Sequence, residues 1–131
     1  MSKDYVKDRD WLPKEQIIGA ADAYITLSGT TEIYSSVVDM VKYGERGAHL
    51  VVDIDYDAGP TDELSVKLYG SIDGTNFDDT PVWEQGGDKS IDPQQLSFII
   101  KDLAYWKIGI VQGAGASDSH DVRAYLRKWR K

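Results

Sequence analysis

Cysteine is absent from the 131 residues, which excludes a disulfide-stapled secreted scaffold and any thiolate metal site. Stability must then come from packing, within the chain or between subunits. No run approaches the ~20 apolar residues of a membrane span, and residues 1–16 alternate acid and base without the apolar stretch of a secretory signal. The expected compartment is cytosol-like. Histidine is scarce, with two in the chain. His49 reads as a capping or surface residue near the start of a strand. His120 stands in Ser119-His120-Asp121, the residue types of a hydrolytic triad, but neighbours on a strand point to opposite faces and cannot pass a proton along a line. No catalytic residue is assigned.

The length suits one domain with a real core. Eight Tyr, four Trp and twelve Gly, with 41% apolar and 28% charged residues, favour many strands joined by turns over a helical bundle. The net charge is −7, unevenly spread: residues 49–102 hold 12 acids against 3 bases, and the remainder holds 10 acids against 12 bases. The middle is acidic and the ends are not.

Residues 1–16 carry eight charges around one apolar knot, Trp11-Leu12-Pro13, and read as an N-terminal arm. Residues 17–131 read as the domain. From Ala21 onward, short apolar runs close on Gly, Asp or Pro at near-regular spacing, the pattern of a sandwich or barrel. Leu50, Val52, Ile54 and Tyr56 share one strand face, and Asp53, Asp55 and Asp57 share the other. Leu64, Val66 and Leu68 alternate with polar neighbours. A shorter run passes Pro81-Val82-Trp83, followed by strands over 96–100 and 105–111, with Trp106, Ile108 and Ile110 on one side. The last strand, Asp121 to Trp129, turns Val122, Ala124 and Leu126 inward. Thr31 to Tyr43 reads as strand and loop. The expected fold is an all-β antiparallel sandwich of roughly seven or eight strands.

Asp73-Gly74, after the run Leu64 to Tyr69, marks a sheet corner, because glycine takes the positive φ that a tight reversal demands. Trp83, Tyr69 and Phe77 gather near that corner in sequence, as core side chains or as a platform for sugar rings. The alternating Asp53, Asp55 and Asp57 suggest a calcium loop, yet Ala58 and Leu64 stand where an EF-hand needs glycine and glutamate. The charges are expected instead to guard a solvent-facing edge strand. Gly113-Ala-Gly115 lacks a following lysine and helix, and reads as a hairpin loop rather than a phosphate cradle. The tail, with Arg123, Arg127, Lys128, Trp129, Arg130 and Lys131, could stack on nucleic acid, but the basic run is better suited to an acidic protein surface, and better still reads as a solvated end.

The order TLSGTTEIYSSVVDM, HLVVDIDYDAG, ELSVKLYGSIDGTNF, LAYWKIGIVQGAGAS and HDVRAYLRKW resembles the capsid-stabilising, or cement, proteins of tailed bacteriophage heads. Asp39-Met40, Gly70-Ser71-Ile72-Asp73-Gly74 and Tyr105 to Ile110 carry the likeness. It implies a jelly-roll-like β-sandwich in the virion, made in the host cytoplasm. No catalysis or cofactor is implied, and neither membrane nor nucleic acid is an expected partner. The partners implied are the major capsid protein and further copies of the chain, as a homotrimer or similar cluster. Tyr5, Trp11, Leu12, Arg123, Arg127, Trp129 and Arg130 are the interface candidates. The Gly-Ser/Asp-Gly/Asn-Phe corner is also similar to one in carbohydrate-binding sandwiches, and a phage tail or receptor-binding accessory protein would share the layout.

Overall fold

The computed structural model describes residues 10–60, 63–113 and 118–130. They contain ten strands: β1 Glu15–Ile18, β2 Ile25–Ser28, β3 Ile33–Tyr34, β4 Val38–Asp39, β5 Gly47–Asp55, β6 Leu64–Ser71, β7 Trp83–Gly86, β8 Gln94–Lys101, β9 Tyr105–Gln112 and β10 Ser119–Trp129. The first sheet runs β1-β10-β5-β8, with β2 beside β1 along the same edge of β10. The second runs β3-β9-β6-β7, with β4 beside β3 along β9. Ten strands thus fill eight positions. All pairs are antiparallel, β6–β7 is a hairpin within one sheet, and the chain crosses between sheets from β5 to β6 and at each step from β7 to β10. This is a jelly-roll sandwich, which matches the expected fold class.

Alternation builds the core. Leu50, Val52, Ile54, Val122, Ala124 and Leu126 of the first sheet meet Leu64, Val66, Trp106, Ile108 and Ile110 of the second, each at most 1% exposed. Two expectations are corrected. β5 is not an edge strand: it pairs with β10 on one side and β8 on the other, so Asp53 and Asp55 stand on the outer face of a central strand. The chain after Gly113 does not close a hairpin, because β9 and β10 lie in different sheets.

The Asp73-Gly74 corner forms as anticipated. The Asp73 carboxylate accepts the N–H groups of Thr75 and Asn76 (both 2.8 Å) and the Asn76 amide (2.8 Å), and Gly74 supplies φ 80°. These donors hold the Asp73 carboxyl well below its usual range, with the Asn76 N–H the largest cause. Its contribution to the folded state is present at neutral pH and is lost as pH falls below the unfolded value near 3.8.

At the other end of the sandwich, the Tyr56 hydroxyl donates to Gln94 Oε1 (2.8 Å). Burial first, then the charges of Glu63, Asp88 and Asp92, push the Tyr56 phenol up to about 12. Tyr69, buried and donating to Glu32 (2.7 Å), is also raised by burial and by that bond. A phenol whose folded value is raised stabilises the fold fully below the unfolded value near 10, and that contribution disappears as pH rises through the folded value. Thermal melts are therefore expected to drop between pH 10 and 12 in the native chain, and the drop is expected to flatten in Tyr56→Phe/Tyr69→Phe.

Candidate interaction surface

β10 carries most of the candidate residues, and the chain's first described residues return to its end. Leu12 N–H donates to Lys128 O (2.9 Å), Arg130 N–H to Asp10 O (3.2 Å), and Trp11 bridges Trp129. Pro13, which has no N–H to give, separates this short ladder from β1. Opposite Trp129 in register is Gly47, and a Cβ there would overlap the indole ring. Only a glycine lets the ring lie flat on β5. Trp11 closes on it edge to face at 5.4 Å and 66°. The result is a Trp129 only 3% exposed.

Arg127 reaches the same place: its Nε donates to Leu12 O (2.9 Å), and its guanidinium lies 5.9 Å from the centre of the Trp11 ring. Trp11, Leu12, Arg127, Trp129 and Arg130, apart in sequence, therefore form one patch. Arg46 joins it, since its N–H donates to Trp129 O (2.8 Å). Arg46, Arg127 and Arg130 are exposed, whereas Lys128 turns inward to Asp39 O (3.1 Å), between Glu45 (3.7 Å) and Glu15 (3.8 Å). On the loop leading into β5, Val41 and Tyr43 are 54% and 62% exposed. Tyr5 and the rest of residues 1–9 lie outside the described residues. Of the expected arm, the described part pairs with β10, and β1 already begins at Glu15.

Arg123 stands apart from the patch. It donates from Nε to Asp53 Oδ2 (3.0 Å) and from Nη1 to Asp22 O (2.6 Å), with the Tyr24 ring at 4.2 Å and Tyr125 at 5.4 Å. The bond to Asp53 raises its pKa further. This guanidinium is committed to holding the loop before β2 against β5 and β10. Sequence reading did not anticipate that role, although the Arg123-x-Tyr125 alternation on an outer face is its local trace.

The end of the sandwich away from the patch is acidic, with Asp55, Asp57, Glu63, Asp88, Asp92 and Asp118 against Lys89 among the described loops and strand ends. His120 is fully buried there. Its Nδ1 accepts the Asp57 N–H (3.0 Å), while Asp57 Oδ2 accepts the Ser119 N–H (3.0 Å). Asp121 faces outward and accepts from Thr26 (2.8 Å), so Ser119, His120 and Asp121 form no relay. Two of the three alternating carboxylates go to protein partners: Asp53 to Arg123, and Asp57 to the Ser119 and Ala58 N–H groups.

The aromatics near the Asp-Gly corner do not make one platform. Trp83 stacks on Phe98 at 4.6 Å. Tyr69 packs edge to face on Tyr34 at 6.0 Å, and Lys107 lies over both Tyr34 and Phe77, at 4.2 and 4.6 Å.

Comparison with known protein families and with curated protein sequences finds no match. Among solved structures, the sandwich is similar to a chain from Bacillus endospore appendages, described as a novel family of disulfide-linked pili. The identity is 11% over 98% of this chain and 96% of that one, with a TM-score of 0.50. A mitogen derived from Yersinia pseudotuberculosis matches at 12% identity over 89% of this chain and 84% of that one, with a TM-score of 0.48. At such identity the appendage chain speaks for the fold alone.

Proposed function

We propose that the chain is a non-catalytic structural protein of a tailed-phage virion, a cement protein that seats on the capsid shell through the patch where residues 10–13 meet the end of β10. The observation that carries this reading is the joining of Trp11, Trp129, Arg127 and Arg130 at one end of a chain whose net charge is −7. The side chains of Arg46, Arg127 and Arg130 are exposed at the end away from the acidic loops, and a local group of cations lets an acidic protein meet an acidic partner surface. These arginines would face the partner. The appendage fold it resembles is used in disulfide-linked pili, but a chain without cysteine cannot be joined to its partners by disulfides.

Cosedimentation with purified capsids tests the reading. Arg127→Glu/Arg130→Glu is expected to weaken binding at least tenfold, equivalent to about 1.4 kcal/mol or more, with the far-UV circular dichroism of the folded chain retained and the melting temperature lowered only by loss of the Arg127–Leu12 bond. Full retention by the double variant would overturn the patch as the attachment site. Loss of salt-sensitive DNA binding, with capsid retention intact, would make it a nucleic-acid site instead.

A second reading, a carbohydrate-binding module, rests on one open cleft of ≈ 270 Å³ lined by Tyr24, Asp53, Gln95 and Arg123 among others. It places a partly exposed ring, with Arg123 lying over it, beside a carboxylate and an amide, groups of the kind that bind sugars. Tyr24→Ala abolishing retention on immobilised glycans would favour it.

A further inference from the structure

The edges of the two sheets are unequally protected. On one side of the first sheet, β1 has a register shift between Gln16 and Ile18, and Ile17 O already accepts the Ser36 N–H (3.1 Å). On the second sheet, β3 and β4 are two residues each. β7 is four residues long, contains Glu84, and sits between Pro81 and the Gly86-Gly87 pair. Short strands, bulges, charge and proline are the usual means of preventing strand addition. β8 has none of them within residues 94–100, and its guards, Asp92-Pro93 and Lys101-Asp102, stand at its two ends. It runs eight residues, Gln-Gln-Leu-Ser-Phe-Ile-Ile-Lys, with a charge only at Lys101. It pairs with β5 at every position from Gln94 to Lys101 without interruption. Among the described residues, no strand pairs with its other edge.

Beside that open backbone lies apolar surface. The Trp83–Phe98 stack closes the gap between the sheets, and open clefts of ≈ 340 Å³ flank it, lined by Val82, Ile99 and Leu103 on one side and by Trp83, Phe98 and Ile99 on the other. Ile99 and Val82 are 59% and 52% exposed.

We propose that β8 is a strand-addition surface whose occupant is β8 of a second copy, joining the first sheets of two chains into one continuous sheet about a two-fold axis. Charge selects the occupant. A chain of net charge −7 repels its own copies, which favours a contact where charge is low, and a nearly neutral strand offers little to a strongly charged foreign partner. Sequence symmetry fits as well. With Phe98 opposite Phe98 of the second copy, Leu96 falls opposite Ile100, Ser97 opposite Ile99, and Gln95 opposite Lys101. Apolar residues then meet on the core face, and no like charges oppose each other. The pairing is two-fold, where the resemblance to cement proteins implies a three-fold cluster, and it does not use the basic patch. Capsid attachment and self-association therefore fail separately.

Sedimentation of the full chain from about 1 to 100 μM, the range in which a small specific interface becomes populated, is expected to show monomer giving way to dimer. Ile99→Lys is expected to weaken the dimer at least tenfold without lowering the melting temperature, because the side chain is mostly exposed. Hydrogen exchange in the native chain is expected to slow within residues 95–100 as concentration rises. A mass that stays monomeric at 100 μM, a trimer, undiminished dimer in Ile99→Lys, or concentration-independent exchange in β8 would each overturn the proposal.

Discussion

Trp106→Ala is expected to lower the unfolding free energy by about 3–5 kcal/mol, a large part of the ~5–15 kcal/mol that holds a domain of this kind. Trp106 is the largest fully buried side chain, at 0% exposure in β9, and that strand is paired with β6 on one side and with β3 and β4 on the other. Removing it leaves a cavity between the sheets that β-strands anchored on both sides cannot collapse to fill. Trp106→Phe is expected to cost less than half as much. It keeps an aromatic ring and deletes an indole N–H that is buried without an acceptor among the described residues. Urea denaturation followed by far-UV circular dichroism measures both; equal losses in the two variants would contradict this account of the core.

The second large effect concerns the terminal strap. Trp129→Ala is expected to cost about 3–5 kcal/mol, because the ring is buried between Gly47 and Trp11. Gly47→Ala is expected to cost at least about 1 kcal/mol, in the range of overpacking, since the new methyl group displaces the same ring. Both variants spoil one contact, so the double variant is expected to be more stable than the sum of the two losses implies. Trp129 fluorescence should shift to the red in Gly47→Ala alone as the ring is lifted into water. Strict additivity would mean that Gly47 is not the seat of the tryptophan.

The strands that form the core were legible in the sequence because each is half buried, and a half-buried strand alternates. Leu50, Val52 and Ile54 in β5, with Tyr56 just beyond it, and Trp106, Ile108 and Ile110 in β9, announce their inward face without help from distant residues. The same alternation misled at Asp53 and Asp55. An acidic outer face looks identical on an edge strand and on a central one, and only the pairing with β8 and β10 distinguishes them. Likewise, the glycines after β9 signal a reversal but not which sheet receives the chain. The first half was least legible because β1 to β4 are two to four residues each, too short for a period to show. Among the candidate interface residues, Trp11 and Trp129 were visible as apolar side chains amid charge. That they meet each other was not, since 118 positions separate them and nothing local records the contact.

The most direct test of the proposed function is the amount of this chain bound to purified capsid shells at saturation, compared between the native chain and Arg127→Glu/Arg130→Glu. The account predicts saturable binding, at a number of copies set by the repeat of the shell lattice, and its loss in the double variant while folding is unchanged. Failure of the native chain to bind at any concentration, or binding that never saturates and is indifferent to the two substitutions, would contradict it.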